Sequence, residues 1–186
     1  MTRWIAALAF TLAAALGVAV TPAAAQGAPD ANTVYLDTKD GRITIRLRPD
    51  LAPKHVQQIK ALTKQGFYNG VPFHRVIDGF MAQTGDPTGT GTGKSNLPDI
   101  PAEFTATPFR RGTVGMARSQ SPNSANSQFF ICFGDASFLN NQYTVVGEVA
   151  SGMDVVDKIK KGSSAANGQV QNPDKIVRMQ LAQDGR

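Results

Sequence analysis

Short runs of alternating apolar and polar residues, broken by Gly, Pro, Asn and Asp, recur through most of this chain, and they restrict it to a mainly β fold. The runs are Thr33 to Asp37, Arg42 to Leu47, Phe73 to Ile77, Met81 to Thr84, Thr113 to Ala117, Gln128 to Phe133, Thr144 to Val149 and Lys175 to Leu181. Alternation with period two places successive side chains on opposite faces of a sheet. The spacing of Val56, Ile59 and Leu62 within Pro49–Gly66 is helical instead, with Pro53 suited to the first turn and Gly66 to the stop. Met153 to Lys161 gives a second helical face through Val155, Val156 and Ile159. The expected architecture is a β sandwich or barrel of about eight strands with two helices in one domain, and closure into a barrel would leave no exposed sheet edge. Asp40-Gly41 reads as the turn of a first hairpin. Gly85 to Phe109 has little regular signal, and a loop of that length in one domain is commonly functional.

The first 31 residues are of another kind. Residues 4–20 are uncharged and apolar behind Arg3, followed by Thr21-Pro22 and Ala23-Ala24-Ala25, which is the order of a secretory leader with a small-residue cleavage site. The expected division is a cleaved signal peptide over 1–25, a short tether over 26–31 and one folded domain over 32–186. No Arg pair precedes the run and no Cys follows it closely, so export by the general secretory route to a periplasmic or extracellular location is expected, with no stable membrane association after cleavage. A retained anchor is the competing reading.

A single Cys forbids any disulfide within the chain and any cysteine cluster for zinc or iron-sulfur, so stability rests on a packed core. The net charge of +5 is scattered, with no more than two basic residues in succession, which argues against nucleic acid as a partner. The run GTGTGKS, Gly89–Ser95, lacks the Walker A spacing, since Thr88 stands where a Gly is needed and Pro98 and Pro101 prevent a following helix. No G-x-S-x-G elbow accompanies either histidine. His55 is expected on the solvated side of the first helix, His74 as a hydrogen-bonded structural residue, and Cys132, among Phe130, Ile131 and Phe133, as an inert packed thiol.

The segment FHRVIDGFMAQTGD, Phe73–Asp86, sets Arg75 in an apolar strand. Arg is rarely buried unpaired. Its guanidinium either makes a structural ion pair or recognises a carbonyl or carboxylate in a peptide-sized groove. A two-residue Asp78-Gly79 turn would put Arg75 opposite Ala82. A three-residue loop over 78–80 would pair Ile77 with Met81 and Arg75 with Gln83, with Gly79 taking the unusual backbone angles, and this register is the one predicted. In SQFFICF, Ser127–Phe133, the alternation puts Gln128, Phe130 and Cys132 on one face and Phe129, Ile131 and Phe133 on the other.

FHRVIDGFMAQTGD together with GMARSQSPNSANSQFFICF closely resembles the cyclophilin family of peptidyl-prolyl cis/trans isomerases in its exported bacterial form, over Asn32 to Leu181. The resemblance implies a mainly β fold, a closed eight-stranded antiparallel barrel capped by two helices, with no cofactor or metal, and proline-containing polypeptides as substrates of a monomer. It implies that Arg75 is the catalytic arginine with Gln83 beside it, that Phe80, Met81, Phe130 and Leu139 form the proline pocket, and that the backbone of Arg118 and Ser119 pairs with substrate, with Gln128 also in the substrate site. Phe138 stands where many members have tryptophan, and Tyr143 where many have histidine, so weak cyclosporin binding is expected. Asp78 replaces a common proline, Thr84 a common glycine, and the loop Arg118–Ser127 is one residue longer than in eukaryotic members. The alternative function is a non-enzymatic chaperone that binds proline peptides in the same groove.

Overall fold

The computed structural model describes residues 31–185, so the expected leader and most of the tether lie outside the described residues. In chain order the elements are β1 (Thr33–Thr38), β2 (Gly41–Leu47), α1 (Pro53–Lys64), β3 (Arg75–Ile77), β4 (Met81–Thr84), β5 (Thr113–Met116), β6 (Phe129–Cys132), β7 (Val145–Ser151), α2 (Met153–Lys158) and β8 (Arg178–Leu181). Every alternating run in the sequence overlaps a strand. The strands form one antiparallel sheet in the order β3-β4-β6-β5-β7-β2-β1-β8.

The expected closed barrel is not what this sheet makes. It curls into a half-barrel whose end strands, β3 and β8, do not pair. Only the chain just ahead of each strand meets, with Pro72 bridging Lys175 and Phe73 N–H donating to Asp174 O at 2.9 Å. Along β3 itself the edge is covered by the segment between α2 and β8: Val76 N–H donates to Gly168 O at 2.8 Å, Gly162 N–H to Val76 O at 2.9 Å, and Val170 N–H to His74 O at 3.0 Å. These bonds satisfy backbone groups that a neighbouring strand would otherwise have to pair.

The first hairpin also differs by one residue from the expected turn, because Thr38 pairs with Gly41 and leaves Lys39-Asp40 as the loop. The predicted β3–β4 register holds, with Arg75 opposite Gln83 and Ile77 opposite Met81. Gly79 takes φ +71° there, an angle that side-chain-bearing residues rarely adopt.

Inside the curl, Val34, Leu36, Ile43, Ile45, Phe129 and Ile131 meet Val56, Ile59 and Leu62 of α1 and Val155 and Val156 of α2 in one buried cluster. The residue before α1, Ala52, has no polar side chain to cap the helix. Glu103 replaces the cap from the long 85–109 loop, accepting the Lys54 and His55 N–H groups at 3.1 Å each. The same carboxylate lies 2.6 Å from His55 Nδ1. His55 is therefore fully buried, contrary to the solvated position expected of it, because the loop folds back over the first turn of α1. No helix among the described residues is long and apolar enough to cross a membrane.

Candidate active site

β3, β4, β6 and β5 are neighbours, and the side chains that do not enter the interior emerge together on the opposite face. Met81, Phe109, Phe130, Cys132, Leu139 and Val145 form a second, smaller buried cluster there, with Phe80 and Tyr143 packed against it. The alternation read from Ser127–Phe133 is observed, since Phe130 and Cys132 belong to this cluster and Phe129, Ile131 and Phe133 to the interior one. Gly115 makes the floor flat: a Cβ there would lie 2.5 Å from Phe109 Cε1 and 2.6 Å from Phe130 Cζ, and the two rings stack at 5.8 Å. Tyr143 meets Phe130 edge-on at 6.0 Å, and Phe138 leans on Phe80 at 5.2 Å while remaining 63% exposed. The cavity above this floor has a volume of about 660 Å³ and is bordered by Arg75, Phe80, Met81, Phe130, Leu139 and Tyr143.

Arg75 forms one wall, and three neutral acceptors hold its guanidinium. Nη1 donates to Gln83 Oε1 at 3.1 Å, Nε to Asn167 O at 3.0 Å and Nη2 to Asn167 Oδ1 at 3.0 Å. Three of the five guanidinium N–H groups are thereby used, leaving one on each terminal nitrogen. Among the described residues Arg75 makes no ion pair, which excludes the structural ion-pair reading. Burial lowers its pKa from the ordinary 12.5, yet a guanidinium stays protonated throughout the working range. Gln83 is fixed in turn by Gln128, whose Oε1 accepts from Gln83 Nε2 at 2.8 Å and whose Nε2 donates to Gly93 O at 2.8 Å. Gln128 thus stands behind Gln83 and lines a smaller adjoining cavity of about 360 Å³.

Arg118 lies between the two cavities, its guanidinium 4.5 Å over the Tyr143 ring and donating to Gln142 O at 2.9 Å and Ser119 O at 2.9 Å. Ser119 borders only the smaller cavity, and its N–H donates to Ser124 Oγ at 2.9 Å. The Ser119 N–H is accordingly already engaged within the loop, whatever the neighbouring backbone groups do.

Sequence reasoning missed Asn167, which supplies two of the three acceptors on Arg75. Asn-Gly signals a turn, and Asn167 does take φ +51°, but nothing local joins it to an arginine 92 positions away. His74 borders the main cavity, with the Pro72 backbone and Gln128 near its ring but neither ring nitrogen in well-formed hydrogen-bond geometry, a looser setting than the bonded one expected. Burial pushes its pKa down, so it is neutral near pH 7. Cys132 is fully buried and its thiol is pushed up to about 12 by that burial, which leaves it unreactive.

The glycine-rich run makes no phosphate cradle. Its N–H groups point inward to the buried Asp86 carboxylate, which accepts from Thr88 and Gly91 at 2.7 Å and from Gly93 at 3.1 Å. Burial alone would raise the Asp86 pKa, and the hydrogen bonds from Thr88, Gly93 and Gly91 outweigh it and lower it. Among the described residues no group of three or more His, Cys, Asp or Glu could hold a metal ion.

The sequence and the curled eight-stranded sheet that carries this site both have parallels in known proteins. Residues 33–181 match the family model described as cyclophilin type peptidyl-prolyl cis-trans isomerase/CLD. A Brucella suis biovar 1 protein described as a probable peptidyl-prolyl cis-trans isomerase is 62% identical, over 93% of this chain and 95% of its own. Among solved structures, a cyclophilin from Hirschia baltica superposes with a TM-score of 0.74 at 27% identity, covering 82% of this chain and 75% of that one. A Cryptosporidium parvum cyclophilin type peptidyl-prolyl cis-trans isomerase, crystallised in the presence of the dipeptide Ala-Pro, gives 0.73 at 28% identity over 80% of this chain and 98% of its own. With nearly the whole described region matched in sequence and in fold, the chain belongs to the cyclophilins and is a peptidyl-prolyl cis/trans isomerase.

Proposed function

We propose that the isomerisation runs on Arg75, with the proline ring seated on Phe80, Met81, Phe130 and Leu139. Rotation about a peptide bond is opposed by ~18 to 20 kcal/mol because amide resonance is lost at the twisted geometry. Twisting leaves a free lone pair on the prolyl nitrogen, and one of the two unused terminal N–H groups of Arg75 donates to it, while the other engages a substrate carbonyl. The first of these bonds is strong only when the amide is twisted, so it stabilises the transition state more than the ground state. No nucleophile or metal takes part in this step. Gln83 and Asn167 hold the fork in place before substrate arrives, which limits reorganisation during rotation. The observation carrying this reading is the Arg75 guanidinium anchored entirely by neutral acceptors.

The test is turnover of a proline peptide followed by NMR exchange. Arg75→Ala is expected to lose on the order of a hundredfold or more, equivalent to roughly 3 kcal/mol of barrier. Arg75→Lys should fail as well, since an ammonium lacks the planar fork. Full activity in a folded Arg75→Ala protein would favour a groove that only binds proline peptides.

Export of the catalytic domain completes the reading, with a periplasmic or extracellular monomer acting on folding polypeptides. Its support is the charge-free run over 4–20 and the Ala23–Ala25 site. N-terminal sequencing of protein from the native envelope should begin at Gln26, whereas a chain starting at Met1 in the membrane fraction would overturn it. Gel filtration of that protein tests the monomer.

A further inference from the structure

The two cavities form one continuous groove, because both are bordered by Gln83, Gly91, Ala117 and Arg118. Its charged rim is unbalanced. Arg75 lies in the larger part, Arg118 at the junction, and Lys94 and Asp99 in the smaller part. Asp99 is already committed, holding Lys94 Nζ at 2.9 Å and accepting from Asn126 Nδ2 at 2.9 Å. The Asp86 carboxylate is buried with its oxygens turned to the 88–93 loop. Neither groove guanidinium has a carboxylate partner among the described residues, whereas Arg42, Arg48 and Arg111 each have one. Arg118 is nonetheless held firmly, by the carbonyls of Ser119, Gln120 and Gln142 and by the face of Tyr143. Neutral acceptors fix its position and leave its charge unneutralised.

We propose that this groove selects proline peptides bearing Asp or Glu on the flank that enters the smaller cavity, with Arg118 as the specificity-determining residue. The proposal rests on the isomerase reading and adds the substrate class. A carboxylate there meets a preorganised guanidinium with little side-chain ordering to offset the gain, and a lysine meets two fixed positive charges.

The experiment uses peptides with one Ala-Pro bond, carrying Glu, Gln or Lys in turn from the third residue before proline to the second after it. NMR exchange gives kcat/KM, and chemical-shift titration gives Kd on the same peptides. At positions on one flank only, Glu should exceed Lys by about tenfold, with Gln between them and the difference lying in KM. High salt should shrink the ratio in the unaltered protein, and Arg118→Gln, checked for folding by its amide spectrum, should bring it close to one. Equal values for the three peptides at every position would overturn the proposal while leaving the isomerase intact. A ratio insensitive to both salt and Arg118→Gln would overturn it too. Loss of turnover on every peptide would instead count against the isomerase reading, and the Kd ratios would still decide the charge preference.

Discussion

The two faces of the sheet segment β4–β6–β5 are built from the same strands and do different work. The inner face, with Phe129, Ile131, Val114 and Met116, belongs to a large buried cluster shared with both helices. The outer face, with Met81, Phe130 and Cys132, belongs to a small cluster whose upper side is the groove. Residues one apart in β6 therefore answer to different constraints: Ile131 fills a volume enclosed on all sides, while Phe130 borders the open groove. Alternation allows a chain to vary its binding surface without reopening its core.

The strongest way to break that division is on the inner side. Ile131→Ala removes a side chain with no solvent exposure, and truncations of this kind cost about 2 to 5 kcal/mol. Urea unfolding should show that loss, while kcat/KM per folded molecule stays near the original value. Gly115→Ala tests the outer side. The added methyl would clash with Phe109 and Phe130, and repacking of this sort costs typically 1 to 3 kcal/mol. Because Phe130 is one of the two rings the methyl displaces, proline-peptide turnover should fall along with Tm. A variant that loses stability with unaltered turnover would show that the floor tolerates a tilted ring.

The faces were legible in sequence because side-chain alternation is local, and the Arg75–Gln83 pairing followed from the length of the turn between them. What escaped were contacts made across long separations. The half-barrel depends on how 162–170 lies along β3, and no alternating pattern marks that segment as an edge cover. His55 looked polar and solvated from helical spacing alone, while its burial is imposed by Glu103, 48 residues later. Asn167 eluded the reading for the same reason, its turn propensity being local and its partner remote.

Acid provides a gentler probe of the inner side. His55 is held neutral mainly by burial, which lowers its pKa and outweighs the hydrogen bond to Glu103; His74 is lowered by burial in the same way. Burial by itself would raise the Glu103 pKa, but bonds from the His55 ring and from the His55 and Lys54 N–H groups lower it overall. Both histidines have folded values below their ordinary 6.5, so as pH falls through 6.5 the unfolded chain binds protons that the native protein refuses. Their contribution is fully present above pH 6.5 and lost as pH descends towards the folded values; that of Glu103 is lost later, below its ordinary 4.5. Tm measured against pH should begin to drop near 6.5, and His55→Gln should flatten the first part of the slope. A Tm profile level down to the carboxylate range would mean that both histidines protonate freely in the folded state.

The outer face predicts an effect on a ligand with almost none on stability, and Phe138 is the place to look. Its ring is 63% exposed and rests against Phe80, so exchanging it for a larger aromatic ring opens no cavity and buries no polar group. The cyclophilin resemblance puts Phe138 where many members carry a tryptophan whose indole N–H donates to cyclosporin. Phenylalanine keeps part of that shape and has no donor. A ligand carbonyl left unpaired in the contact costs about 1 to 3 kcal/mol, or roughly tenfold to over a hundredfold in affinity. Cyclosporin should therefore inhibit this protein weakly while peptide turnover is normal, and Phe138→Trp should tighten binding by at least about tenfold with Tm unchanged. Trp4 is the only tryptophan in the sequence and lies in the expected leader, so the introduced indole would report binding by fluorescence in the processed domain without interference. Potent inhibition of the unaltered protein, with no gain from Phe138→Trp, would show that cyclosporin affinity here is set by the floor and the Arg75 wall, and that the exposed ring contributes only contact area.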